Sequence, residues 1–176
     1  MKGTADSDSD EARHWLEHDE KEQRESAMMA DLMRNDLAIV SQGVKVVRYR
    51  YISPVTTSRG RILQCSSEIR STLSGDWHSH LGDILFRLLP AGSITGAPKE
   101  ATCQAIAEAE NFTRGFYTGI FGYYDGTNLD SAVAIRFAEQ TPEGLLFKSG
   151  GGITILSQLD QEYQESIAKV YVPFDL

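Results

Sequence analysis

The segment from residue 19 to residue 43 restricts the fold of this chain more than any other. Apolar side chains recur there at roughly helical spacing, at positions 27, 28, 32, 33, 37 and 39. Asp19 and Glu22 have the spacing of a capping box, and Gly43 closes the run. The pattern predicts one long amphipathic helix, whose apolar face needs other elements to pack against.

Two Glu-x-x-Glu pairs lie near opposite ends of the chain. Glu22 and Glu25 fall in the first turns of the predicted helix, and Glu162 and Glu165 fall in a second helical stretch over residues 160–169. A step of three residues places both carboxylates of a pair on one helix face. Acidic residues on helices are most often solvated surface. Four acids so placed nevertheless suggest a site for a hard cation.

Composition excludes several classes of partner. The chain has 176 residues, 41% of them hydrophobic, which suits a single domain or part of a larger one. A net charge of -8 argues against nucleic acid or an anionic membrane as the main partner. No apolar run is long enough to span a bilayer, and no signal peptide is evident, so we expect a cytoplasmic protein. Cys65 and Cys103 lack metal-site spacing and are expected to be buried thiols.

The remaining patterns predict a mixture of helices and antiparallel strands. Residues 5–12 are polar and acidic and indicate a mobile loop. Further helices are expected over residues 67–73, 80–89 and 98–110. Strands are expected over residues 44–52, 61–67, 116–124, 132–137 and 145–149. The hairpin spacing of the later strands implies antiparallel pairing.

Two glycine-containing segments are suited to close approach by a ligand. Gly92 and Gly96 precede a helix that Pro98 begins, where free amides attract anions, although such loops are mostly ordinary turns. Residues 150–152 are three consecutive glycines at the end of a predicted strand. They are costly in backbone entropy, so close approach by a substrate explains them better than chance.

Eight short motifs occur in the order found in one known family. They are Lys-Gly-Thr at residues 2–4, Lys-Glu-x-x-Glu at 21–25, Asp-Leu-x-Arg-Asn-Asp at 31–36, Gly-Ser-Ile-Thr-Gly-Ala-Pro-Lys at 92–99, Arg-Gly-x-Tyr-x-Gly at 114–119, the segment from Asp130 to Arg136, Gly-Gly-Gly-Ile at 150–153 and Glu-Tyr-x-Glu at 162–165. The series closely resembles the chorismate-utilising enzymes. That family includes component I of anthranilate synthase, component I of aminodeoxychorismate synthase, and the isochorismate and salicylate synthases.

The resemblance implies an α+β fold in which antiparallel β-sheets pack as a sandwich with helices outside and the active site between them. It implies an active-site loop and acidic mobile segment at residues 1–18, followed by the chorismate-binding domain over residues 19–176. Complete family members are considerably longer, so we expect this chain to be the C-terminal portion. The upstream half, with a Glu that acts as general acid, is then missing, and the fragment is not expected to turn over alone.

By resemblance, Glu25 and Glu165 are the principal ligands of a Mg²⁺ ion, with Glu22 and Glu162 beside them in direct contact or through water. Magnesium prefers six oxygen ligands and usually keeps several waters beside one or two carboxylates, which suits this set. In the family the ion holds the ring carboxylate of chorismate. Without it, the carboxylates of protein and substrate would repel each other.

The same resemblance assigns the rest of the chorismate site. Arg136 is expected to bind the carboxylate of the enolpyruvyl arm, because a guanidinium can grip a carboxylate with two parallel N–H bonds. A purely structural ion pair is the alternative for this residue. The other substrate-binding residues are Gly3, Thr4, Thr95, Tyr117, Gly150, Gly151, Gly152 and Lys169. Of these, Lys169 is placed to pair with the acids one helical step away.

Lys2 and Gln64 bear most directly on the product. Aminodeoxychorismate synthases often carry Lys before Gly-Thr, and Lys2 resembles the nucleophile that expels the C4 hydroxyl before ammonia installs an amino group there. This requires a lysine pKa well below the usual value of about 10.4; a disordered terminal lysine is the alternative. Gln64 stands where anthranilate synthases have a His that helps to expel pyruvate. His78 and His80 are expected to be surface residues.

The leading hypothesis is therefore component I of aminodeoxychorismate synthase, which receives ammonia from a glutamine amidotransferase subunit and feeds 4-aminobenzoate and folate synthesis. Anthranilate synthase component I, followed by isochorismate synthase, is the alternative within the family. A non-enzymatic interaction module of the same fold is the alternative of a different class. Binding of magnesium and chorismate separates the enzyme from the module, because a module has no need of its four acids.

Overall fold

The structure, a computed structural model, describes residues 3–57, 60–155 and 157–170. Its contacts divide the chain into two compact units, Met1–Ala105 and Ile106–Leu176. The first unit holds the long helix and a three-stranded sheet, and the second holds two hairpins and a helix. The mixture of helices and antiparallel sheets expected from the sequence is confirmed.

Two capped helices begin the first unit. Helix α1 (Asp10–His18) starts after Ser9, whose side chain accepts a hydrogen bond from Ala12 N at 3.1 Å. Helix α2 (Glu20–Val40) starts after Asp19, which accepts one from Glu22 N at 2.9 Å, so the predicted long helix and its cap are confirmed. The mobile loop predicted over residues 5–12 is wrong at both ends, because Ala5 is buried in a strand and residues 10–12 are helical. Acidic residues there form the first turn of α1, where the helix dipole favours negative charge.

A three-stranded antiparallel sheet lies against these helices. Its order is β1 (Thr4–Ala5), β3 (Gly60–Thr72), β2 (Gln42–Thr57). The predicted strands exist but are longer than expected, and the helix predicted over residues 67–73 is wrong. Those residues continue β3, because cross-strand pairs with β2, such as Arg48 with Glu68, outweigh a helix-like local pattern.

The core of the first unit joins its N-terminal strand to α1 and β3. Ala5, Leu16, Leu63 and Cys65 are buried together. Complete burial of a leucine stabilises a fold by about 1.5–3 kcal/mol, so Leu16 and Leu63 contribute most. The segment that follows residue 2 is therefore fixed in place by the core.

After a 3₁₀ turn at Trp77–His80, three α-helices complete the part of the chain that precedes the second unit's strands. They are α3 (Leu81–Leu88), a single turn α4 (Gly92–Thr95) and α5 (Lys99–Ala109), within which the division between the units falls. Helices α3 and α5 were predicted, whereas α4 lies in a segment predicted as a loop. His78 and His80 are exposed, as expected for surface residues.

The second unit contains two antiparallel hairpins. They pair β4 (Ile120–Tyr124) with β5 (Leu129–Val133) and β6 (Phe137–Thr141) with β7 (Gly144–Lys148), and α6 (Leu159–Ala168) follows. Asp125 closes the first hairpin by accepting from Thr127 N and Asn128 N at 2.7 and 2.6 Å. The single strand predicted over residues 132–137 is interrupted, because Arg136 has a φ of 55°, which no regular strand contains.

The described residues contain no helix that is long and apolar enough to cross a membrane. Both cysteines are free thiols, with Cys65 buried as predicted and Cys103 only half-buried.

Candidate functional site

Gly3 lies directly against the carboxylate of Glu22. A Cβ at this glycine would stand 2.6 Å from Glu22 Oε2 and 3.4 Å from both Cys65 Cβ and Leu16 Cδ2. Its φ of +99° is also one that other residues rarely adopt, so only glycine fits. The Gly3 carbonyl accepts a hydrogen bond from Cys65 N at 3.0 Å. The structure thus brings together two residues that the sequence assigned to different parts of the site.

Thr4 stands opposite Gln64 in the sheet. Strand β1 pairs Thr4 with Gln64 and Ala5 with Leu63, and on its other side Gln64 faces Ser53 of β2. Thr4, from the first motif, is therefore a direct neighbour of Gln64, the residue expected to bear on the product. Lys2, the predicted nucleophile, lies outside the described residues.

The Glu22 and Glu25 pair sits in the first two turns of α2. One oxygen of each carboxylate, Oε2, is shielded from solvent, and the Glu25 side chain is 21% exposed, with Lys21 Nζ 4.0 Å away. Half-buried carboxylates three residues apart form a donor set of the kind that Mg²⁺ accepts, since this ion completes its shell with water or substrate. The pair therefore fits the metal that the sequence implies.

Cys65 lies between the charges of this region. Burial raises the pKa of its thiol, the Glu22 carboxylate raises it further, and the Arg50 guanidinium acts in the opposite direction. A thiol held neutral in this way is a structural side chain and not a nucleophile.

Asp36 holds the segment that contains Thr95. Its Oδ2 accepts from Gly92 N at 2.6 Å and its Oδ1 from Lys99 Nζ at 2.9 Å. A Cβ at Gly92 would meet Oδ2 at 2.9 Å. Thr95 is 5% exposed, and its hydroxyl donates to Gly96 O at 3.1 Å. The sequence singled out the Gly92 segment for its glycines and the Asp36 motif through the resemblance, and it assigned no role to Asp36 or Lys99.

In the second unit, Tyr117 packs on the first of the three glycines. A Cβ at Gly150 would come within 2.3 Å of the Tyr117 hydroxyl, so this glycine admits the ring. Burial raises the pKa of Tyr117, while the nearby Arg114 and Arg136 lower it and Glu110 raises it. The phenol is therefore neutral near pH 7 and available as a hydrogen-bond donor.

Two arginines lie near Tyr117: Arg114 is paired with a carboxylate, and Arg136 is exposed to solvent. Arg114 pairs with Glu110 through two hydrogen bonds of 2.7 and 2.5 Å, and it lowers the pKa of that carboxyl. Arg136 is exposed, and it has a positive φ directly before β6. Arg136 is thus the arginine of this pair that a substrate carboxylate can reach from solvent.

The Glu162 and Glu165 pair lies beside the second glycine. Lys169 Nζ contacts Glu165 Oε1 at 2.6 Å, so the predicted ion pair is formed. Ser157 donates to Glu162 Oε1 at 2.7 Å. A Cβ at Gly151 would stand 3.6 Å from Lys169 Nζ and 3.7 Å from Glu162 Oε2. Gly152, in contrast, is exposed with open space around it.

The predicted residues are divided between the two units. The first contains Gly3, Thr4, Glu22, Glu25 and Thr95, and the second contains Tyr117, Arg136, Gly150, Gly151, Gly152, Glu162, Glu165 and Lys169. Within residues 3–57, 60–155 and 157–170, no three His, Cys, Asp or Glu side chains form a cluster that could hold a metal ion. Each glutamate pair thus offers two carboxylates at most.

Comparison with known proteins places the chain in a family. Residues 1–175 match the family described as chorismate binding enzyme. A PabA-like protein of Pasteurella multocida is 58% identical over 98% of this chain, and aminodeoxychorismate synthase component 1 of Bacillus subtilis is 32% identical over 97%. The chain spans 53% and 36% of those relatives, respectively.

A solved structure agrees with the sequence relatives. The menaquinone-specific isochorismate synthase of Escherichia coli has a TM-score of 0.71 and 26% identity, with 96% of this chain and 39% of that one covered. The fold shared with this structure and the series of motifs in both units point to the same family. The chain belongs to the family of chorismate binding enzymes.

Proposed function

We propose that this chain is the C-terminal part of an enzyme that aminates chorismate at C4 to give 4-amino-4-deoxychorismate. This is the reaction of component I of aminodeoxychorismate synthase, which supplies 4-aminobenzoate and folate synthesis. The pairing of Thr4 with Gln64 supports the proposal most directly. It sets Thr4 opposite a glutamine at the position where anthranilate synthases carry His, and Gly3 lies against the Glu22 carboxylate.

The residues of the two units take complementary roles in this proposal. Glu22 and Glu25 on one helix, and Glu162 and Glu165 on another, would hold Mg²⁺ with water and substrate. When bound, the ion supplies the positive charge that lets the ring carboxylate of chorismate bind beside protein carboxylates. Thr95 lines the ring side, held in place through the contacts of Asp36.

The enolpyruvyl carboxylate has a suitable partner set in the second unit. Arg136 offers an exposed guanidinium, and Tyr117 offers a neutral hydroxyl beside Gly150. Backbone amides of residues 150–152, three glycines without side chains of their own, add further donors. Lys169, paired with Glu165, keeps that acid from repelling an approaching anion.

Lys2 is the proposed nucleophile. Its neutral amine forms a C–N bond to the ring as the C4 hydroxyl takes up a proton and leaves as water. Ammonia then forms a C–N bond at C4 as the bond to Lys2 breaks, which restores the neutral lysine, and loss of one proton from the new ammonium group gives the C4 amine. Ammonia would come from a glutamine amidotransferase subunit, and the reaction would take place in the cytoplasm.

The product of the full-length protein tests this function. We expect chorismate, Mg²⁺ and ammonium to yield a compound that releases 4-aminobenzoate only after a separate lyase is added. Lys2→Ala should abolish its formation, whereas Lys45→Ala, on exposed β2, should not. Direct appearance of anthranilate fluorescence would refute the assignment in favour of anthranilate synthase. Isochorismate formed from water would do so in favour of isochorismate synthase.

A further inference from the structure

Arg50 occupies a bulge in strand β2. Between the pairs formed by Arg48 and Tyr51, two residues of β2 stand opposite the single residue Ser67 of β3. Arg50 N is bonded to Ser67 Oγ at 3.1 Å, and its φ of 49° is uncommon for any residue other than glycine. Such a conformation persists only where the surroundings hold it, and a bulge redirects the side chain that it carries.

The redirected guanidinium joins α1 to α2. Arg50 donates to Leu16 O, to Glu22 O at 2.8 Å and to Ser26 Oγ at 2.8 Å. Leu16 O belongs to the last turn of α1, where carbonyls lack helical partners and the dipole favours a cation. Ser26 is 5% exposed, so these bonds lie away from solvent. One side chain therefore fixes the end of one helix and the first turns of the next.

No other residue type reproduces these contacts. A guanidinium presents several N–H groups in a rigid plane, which can reach two carbonyls and a hydroxyl together, whereas a lysine ammonium is a point charge on a flexible chain. Arg48, two residues earlier on the same strand, is a natural contrast. It pairs with Glu68 at 2.8 Å, and its side chain is 58% exposed.

We propose that Arg50 is a positioning residue for Glu22. By bonding the Glu22 carbonyl while it anchors α1 and Ser26, it holds the start of α2 so that the Glu22 carboxylate stays against Gly3. The carboxylate is thereby kept ready to bind a divalent cation at the pair it forms with Glu25. The inference rests on the proposed function, since it assigns Arg50 a part in the affinity for that cation.

Cation binding to the full-length protein in the presence of chorismate tests this role. Mn²⁺ replaces Mg²⁺ as the probe, because its binding can be followed directly by electron paramagnetic resonance without turnover. We expect Arg50→Met to raise the Mn²⁺ dissociation constant about tenfold, in the range found for residues that orient metal ligands. Arg50→Lys should give an intermediate rise. Arg48→Met, the matched control, should leave the constant within about twofold.

The outcomes separate this inference from the proposed function. Affinity is measured on folded molecules well below the unfolding temperature, so a loss of stability alone does not change it. If Glu22→Gln weakens Mn²⁺ binding but both Arg50 variants bind normally, Arg50 is only structural and the inference is overturned. If Arg50→Met does not fold, Arg50→Lys decides in the same way. If Glu22→Gln and Glu25→Gln also bind normally, the proposed metal site itself fails.

Discussion

Replacement of Lys99 by Met should destabilise the first unit, because it leaves the buried Asp36 carboxylate without its cationic partner. Asp36 is 8% exposed, and its carboxylate accepts from Lys99 Nζ at 2.9 Å and from Gly92 N at 2.6 Å. Met preserves most of the aliphatic length of Lys but offers no proton. Of the two donors, only the Gly92 amide then remains to balance a charge largely removed from water.

The size of the effect follows from the burial of the two side chains. A fully buried ion pair that loses one partner costs about 3–5 kcal/mol, whereas an exposed pair is worth about 0.2–1 kcal/mol. The Asp36 side chain is 11% exposed and that of Lys99 is 29% exposed, so the pair lies between these limits. We expect Lys99→Met to cost about 2–3 kcal/mol, and its cycle with Asp36→Asn to give a coupling of about 1–2 kcal/mol.

Urea unfolding followed by tryptophan fluorescence measures this cost. Trp15 and Trp77, the two tryptophans of the chain, both lie in the unit that holds the pair. A loss of 2 kcal/mol should lower the midpoint by about 1 M, given slopes of about 1–3 kcal/mol per molar urea.

The exposed pair between Arg34 and Asp31, at 3.4 Å, supplies the control for this measurement. Arg34→Met should cost less than about 0.5 kcal/mol. The reasoning is refuted if the Asp36 and Lys99 cycle shows no more coupling than the Arg34 and Asp31 cycle.

Two further predictions concern a glycine and an ion pair. Gly92→Ala should destabilise the first unit by about 1–3 kcal/mol, because the new Cβ would press on the Asp36 carboxylate. Gly82→Ala is the control: it adds a methyl group at an open position of helix α3 and should be neutral or stabilising. The urea midpoints of the two variants test this difference. Arg114 lowers the pKa of Glu110 below its usual value of about 4.3, so the pair stabilises the fold above that pH and the contribution is lost as pH falls through the lowered value. Glu110→Gln should therefore lower stability at pH 7, and this loss should shrink as the pH falls through the lowered pKa of Glu110; a loss that does not change with pH would contradict the assignment.

Local sequence patterns correctly predict the elements whose stabilising contacts lie within a single segment of the chain. Helix α2 was predicted with its cap because Asp19 and the apolar spacing act within one segment. The continuation of β3 beyond residue 67 was missed, because its partner strand begins about two dozen residues earlier in the sequence and outweighs the local preference. The break at Arg136 was missed for a similar reason, since nothing in its neighbours requires a positive φ.

The candidate site shows the same division. Glutamate spacing and motif order identified residues that the structure brings together, such as Lys169 with Glu165 and Tyr117 with Gly150. Arg50 gave no signal in the sequence, because its role depends on a bulge and on carbonyls of two other elements. Because Arg50 bonds to backbone carbonyls, which every residue has, no particular residue type in the sequence identifies its partners.

The sequence alone determined the family of this protein and identified the carboxylates and glycines that are proposed to bind its ligands, because chemistry requires particular side chains at particular spacings. Only the tertiary structure decided which of them are neighbours. It set Gly3 against Glu22, joined Thr4 to Gln64, and placed Asp36 under the segment of Thr95. Those contacts join residues far apart in the chain, and they arise from strand register and core packing, which local pattern does not encode.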